Sequence, residues 1–111
     1  MPSITEVSQG ATPTLELTLP TSIDLSTMNI YFSIEQFNRT VIEKSNADGG
    51  EDVTFSENTV SVYLSQVDTL QLEEGDAMAQ INLVGGHGAI RVATYEAPIK
   101  IIGNQIKRVL A

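Results

Sequence analysis

Apolar and polar residues alternate with a period of two along most of this chain, and period two is the signature of half-buried β-strands. In "TLELTL" (14–19), Leu15, Leu17 and Leu19 share one face, and Thr14, Glu16 and Thr18 share the other. Pro13 and Pro20 bracket the run, as prolines do at strand ends. In "NIYFSIEQF" (29–37), Ile30, Phe32 and Ile34 point one way, and Tyr31, Ser33 and Glu35 the other. Asn38-Arg39 is read as a two-residue hairpin loop, weaker than Asn-Gly because Arg resists positive φ. "TVIEKS" (40–45) is the return strand and "NADGGED" (46–52) a glycine-rich turn. A short strand "VTF" (53–55) then turns through "SENT" (56–59) into "VSVYL" (60–64), with Val60, Val62 and Leu64 inward and Ser61 and Tyr63 outward.

The alternation then stops. Ser65-Gln66-Val67-Asp68 fits a capping box, in which a Ser and an acid three residues on satisfy each other's backbone N–H. A one-turn helix over residues 66–72 follows, with Val67 and Leu70 on one side, and Gly75 ends it by taking positive φ. "AMAQINLV" (77–84) resumes the alternation, with Ala77, Ala79, Ile81 and Leu83 inward. "GGHG" (85–88) is a hairpin turn. "AIRVATYEAPIKII" (89–102) is a long strand interrupted by Pro98, hence an edge or bent strand. After Gly103-Asn104, the spacing of Ile106, Val109 and Leu110 fits either a short helix or a strand end.

Seven or eight short strands with turns every 8–12 residues or so predict an all-β, immunoglobulin-like β-sandwich, read here as antiparallel throughout. One helical turn between strands carries the chain across the sheet separation of about 10 Å. It stands where the E–F connection of an immunoglobulin-like domain stands, with Leu70 and Leu72 closing the end of the core. The predicted core is Leu15, Leu17, Ile30, Phe32, Ile34, Val60, Val62, Leu64, Ile81 and Leu83. Residues 1–111 form one domain, with residues 103–111 as a docking tail.

Charge sharpens the picture of the tail. Fourteen acids and six bases give a net charge of −8, which argues against nucleic acid and anionic membrane as partners. Lys100, Lys107 and Arg108 lie in the last twelve residues, which hold no acid; the first 99 residues carry 3 − 14 = −11 and the rest +3. The plain reading is a tail that folds back to balance the surface. The sharper one is a tail that docks on an acidic neighbour.

Little in the sequence speaks for catalysis. His87 sits in a glycine-flanked hairpin tip, a poor place to hold a general base or a metal. Cysteine is absent, which excludes disulfides and thiolate chemistry. The acidic runs at 48–52 and 73–76 match no calcium-loop spacing and read as solvated turns. No enzyme activity, cofactor or metal is expected. Met1–Glu6 lacks the charged and apolar regions of a signal peptide, and synthesis in the bacterial cytoplasm is expected. Tyr31, Tyr63 and Tyr95 fall on predicted outer faces, where a patch suits protein contact or, alternatively, a sugar. With Ile106, Lys107, Arg108, Val109 and Leu110 they are the candidate interface residues. The alternative function is a carbohydrate- or cell-surface-binding accessory module.

Three segments, "ITEVSQGATPTLELTLP", "NIYFSIEQFNRTVIEK" and "VSVYLSQVDTLQLEEGDAMAQINLV", resemble small prophage proteins of Gram-positive bacteria. The matching positions are Thr12-Pro13-Thr14, Leu64-Ser65-Gln66, Thr69-Leu70, Leu72, Gly75 and Arg108-Val109-Leu110. Those proteins are in turn similar to the immunoglobulin-like N-terminal domain of phage upper baseplate proteins. The resemblance implies a non-catalytic virion structural or adaptor role in the tail, baseplate or head–tail region. Its implied partners are other phage structural proteins and a second copy of itself. Unlike the baseplate proteins, this sequence shows no helical linker or receptor-binding part after the domain, a departure that counts against the expectation of direct receptor binding.

Overall fold

The period-two runs become strands, and the strands stack into two sheets. A computed structural model describes residues 5–19, 25–47, 50–85 and 91–110. Among them eight strands occur: β1 (Thr5–Ser8), β2 (Thr14–Thr18), β3 (Met28–Gln36), β4 (Arg39–Ser45), β5 (Val53–Ser56), β6 (Thr59–Tyr63), β7 (Gly75–Gly85) and β8 (Arg91–Ile102). A single helical turn, α1 (Gln66–Leu70), joins β6 to β7. One sheet has the order β1-β8-β7-β3-β4 and the other β2-β6-β5. The second matches the B-E-D sheet of an immunoglobulin domain, and β8-β7-β3-β4 matches G-F-C plus the extra C′ strand. The helical turn is therefore the corner between sheets that the sequence predicts.

Alternation places the core as expected for nine of the ten predicted positions. Leu15, Ile30, Phe32, Ile34, Val60, Val62, Leu64, Ile81 and Leu83 are all buried. Leu17 is only half-buried and packs against the rim of the core, because β2 is an edge strand. Val7, Ile42, Val53, Leu72, Ile99 and Ile101 are among the further residues of the interior.

Three expectations are corrected. The sandwich is not wholly antiparallel: β1 runs parallel to β8, with Thr5 opposite Ile99 and Ser8 opposite Ile102. This strand is four residues long and buries only Val7, so it leaves no alternation to read. The chain then turns at Gly10, whose φ of +82° suits glycine, and passes to the other sheet. The hairpin loop is Phe37-Asn38, not Asn38-Arg39. Both loop residues have positive φ, 54° and 61°, as a type I′ turn requires. The slip has a local cause. Ile34 faces Ile42 but Glu35 faces Thr40, so Val41 is an extra residue that shifts the register. In α1, finally, Val67 points to solvent, and Thr69 is the buried side chain.

Pro98 reads correctly as an edge signal. Among the described residues, β1 covers β8 only from Ile99 to Ile102, and Pro98 is the last residue before that cover begins.

Candidate functional site

The α1 corner is built from polar clips. The Ser65 hydroxyl accepts a hydrogen bond from the Asp68 N–H at 3.2 Å, and the Ser65 N–H donates to the Asp68 carboxylate at 2.9 Å. The predicted capping box is thus complete. Lys44 of β4 reaches across to Asp68 at 2.7 Å and to Asp52 at 2.6 Å, tying α1 to the start of β5. Partial burial works against the charged forms of Lys44 and Asp68. The Lys44 bonds to Asp52 and Asp68 outweigh it and raise the lysine pKa. The Lys44 and Ser65 bonds likewise outweigh it and lower that of Asp68.

Two buried glutamines hold the turn that follows. Gln9 donates to the Leu72 carbonyl at 2.6 Å. Gln36, at the inward end of β3, accepts from the Glu73 N–H at 2.9 Å and donates to the Glu73 carbonyl at 2.8 Å. The Thr69 hydroxyl donates to the Ala11 carbonyl at 2.8 Å. No buried side-chain N or O among the described residues lacks a partner. Nothing in the sequence marked these side chains, because a glutamine on an inward face interrupts the alternation instead of extending it.

The tail grows from this corner. Gln9 accepts from the Asn104 N–H at 3.1 Å, and the Asn104 side chain accepts from the Ile106 N–H at 3.0 Å. Further on, Gln66 of α1 forks onto the main chain of Leu110, donating to its carbonyl at 2.8 Å and accepting from its N–H at 2.7 Å. Residues 103–110 form neither the helix nor the strand end that their spacing suggested. They form an irregular strip whose backbone is held and whose apolar side chains are not.

That strip makes one end of the sandwich unusually apolar. Ile106, Val109 and Leu110 are 48%, 52% and 45% exposed, and Val67 of α1 is 58% exposed. Phe37 is 73% exposed at the tip of the β3–β4 hairpin, which reaches the same end, since neighbouring Gln36 is bonded to Glu73. These are five of the eight large hydrophobics exposed among the described residues, so the exposure is gathered and not scattered. Phe37 also holds a left-handed conformation that a bulky side chain adopts only at a cost. Lys107 and Arg108 lie within the strip, exposed, and the ion pairs among the described residues are those of Lys44 alone. The tail folds back, but its charges stay unpaired.

The tyrosines do not join this surface or one another. Tyr31 faces outward from the five-stranded sheet, opposite Asn82. Tyr63 faces outward from the three-stranded sheet, opposite Thr14. Tyr95 is not on an outer face: it lies opposite the buried Ile81 and packs at the margin of the core. The expected tyrosine patch is therefore absent.

Two hollows remain. An open cleft of about 440 Å³ on the five-stranded sheet is lined by Tyr31, Ser33, Thr40, Glu43 and Asn82. A groove of about 300 Å³ runs between the edges of β2 and β8, past Leu17, Tyr95, Ala97 and Ile99, with Glu16 and Glu96 also lining it. No group of three or more His, Cys, Asp or Glu among the described residues is placed to hold a metal. His87 and Asp48 lie outside the described residues. No described helix is long and apolar enough to cross a membrane.

Fold and corner together define an immunoglobulin-like β-sandwich with an exposed apolar and basic end. No family model matches the chain, and a search of curated proteins finds no match at a meaningful level.

Proposed function

We propose that the chain is a non-catalytic structural or adaptor protein of a phage or prophage particle, in its tail, baseplate or head–tail region. It acts through contacts with other particle proteins and with itself. The observation that carries this reading is the α1 end: a satisfied, clipped corner that presents Phe37, Val67, Ile106, Val109 and Leu110 to solvent beside Lys107 and Arg108. A surface of that kind suits protein contact, where aromatic, aliphatic and arginine anchors carry the binding energy. Synthesis in the bacterial cytoplasm and release within the particle complete the proposal. Mass spectrometry of particles purified by density gradient from an induced source culture tests it. Peptides of this chain should stay with the particles at a fixed ratio to the tail proteins. Their loss during purification would overturn the reading.

A second reading has one observation in its favour. The cleft beside Tyr31 sets an aromatic ring among hydroxyl, amide and carboxylate groups, a mixture that suits a sugar. On that reading the chain is a carbohydrate- or cell-surface-binding accessory module. Saturable binding on a glycan array, abolished by Tyr31→Ala, would favour it over the first.

A further inference from the structure

We infer that the groove between β2 and β8 receives the apolar and basic end of a second copy of this chain. The inference rests on the reading of the chain as a contact protein and names the partner surface. The groove runs where two strand edges, as far as the described residues go, lie open side by side. Among the described residues, β2 pairs only with β6, and β1 covers β8 only over Ile99–Ile102. Between these edges the sandwich interior comes to the surface: Leu17 and Tyr95 are half-buried there and Ala97 lies beside them. A free edge also offers unpaired backbone N–H and C=O groups to an extended segment.

The strip at the α1 end matches that groove in polarity and charge. Ile106, Val109 and Leu110 supply the apolar side chains, and Lys107 and Arg108 meet Glu16 and Glu96. No acid lies in residues 100–111, so the strip is cationic on an otherwise anionic chain. Gln66 bonds only the main chain of Leu110, so the clip fixes the strip without covering its side chains. The strip is preformed, and little ordering entropy is lost when it docks. Strip and groove are different surfaces of one molecule, which makes the contact head-to-tail. Such contacts build rings or filaments, the geometry of repeated particle components.

Charge reversal on the full chain tests this by sedimentation equilibrium at low salt, where exposed charges reach furthest. One variant carries Lys107→Glu with Arg108→Glu, and the other carries Glu16→Lys with Glu96→Lys. All four sites are exposed, so both variants should keep the circular dichroism of the parent. Each variant alone should self-associate about tenfold more weakly than the parent. An equal mixture of the two should recover the parent's association, because reversed groove meets reversed strip. A parent that stays monomeric to about 1 mM overturns the inference. So does a mixture that associates no better than its components. Either result leaves open whether the chain stays with purified particles, so failure of this inference and failure of the particle reading are told apart.

Discussion

The centre of the sandwich and the strip at its end use the same kinds of side chain for opposite purposes. In β3 and β7, Ile30, Phe32, Ile34, Ile81 and Leu83 are fully buried, and burial of apolar area holds the strands. In the strip, Ile106, Val109 and Leu110 remain about half exposed while hydrogen bonds from Gln9, Asn104 and Gln66 fix the backbone. Hydrophobicity alone does not separate core from contact surface. What separates them is where the backbone's hydrogen bonds go: along the ladder in one region, and to side-chain clips in the other.

Removing a central side chain breaks the first half of the comparison most severely. Phe32→Ala should cost roughly 3–5 kcal/mol in urea unfolding, because Phe32 is wholly buried and leaves a cavity. The next largest effect is at the root of the strip. Gln9→Ala strips the buried Leu72 carbonyl of its donor and the Asn104 N–H of its acceptor, leaving the Asn104 side chain on the main-chain carbonyl of residue 9. It should cost about 1–3 kcal/mol, read as a shift of the urea midpoint at constant slope.

The strained hairpin tip should respond in the other direction. Phe37→Gly removes a left-handed bulky residue and should stabilise the fold by about 0.5–1 kcal/mol by the same measurement. If the α1 end is the contact surface, the same change weakens association, so stability and binding move oppositely.

The Lys44–Asp68 pair gives a pH signature. The lowered pKa of Asp68 means that its contribution is present above the unfolded carboxylate value of about 3.9 and is lost as pH falls through the folded value. The raised pKa of Lys44 means that its contribution is present below about 10.4 and is lost as pH rises through the folded value. Asp68→Asn should flatten the acid limb of a stability–pH profile, and Lys44→Met should flatten both limbs. A profile unchanged by either substitution would show the pair to be idle.

Much of this fold is legible from alternation, for a physical reason. β2, β3, β6 and β7 each put apolar residues on one face, and in a sandwich that face has one place to go. The α1 corner is legible because a capping box is local chemistry. Three kinds of feature are not. β1 is held by β8 and not by its own pattern, so Val7 gives no period. The Phe37-Asn38 loop depends on an extra residue at Val41, which only the paired strands reveal. The inward glutamines Gln9 and Gln36 oppose the binary pattern, because they serve the backbone and not the core. The candidate site divides in the same way. Ile106 to Leu110 stand out by composition, whereas the side that Tyr95 faces follows from its register with Ile81.

The central claim is that the strip faces outward for a partner and is not a loose part of the core. Urea unfolding of a chain lacking residues 106–111, beside the intact chain, tests this most directly. The deletion keeps Asn104 and its bonds to Gln9. The account predicts a stability within about 0.5 kcal/mol of the intact chain, as for surface changes elsewhere. A loss of more than about 2 kcal/mol would contradict it, because that is the scale of core truncation.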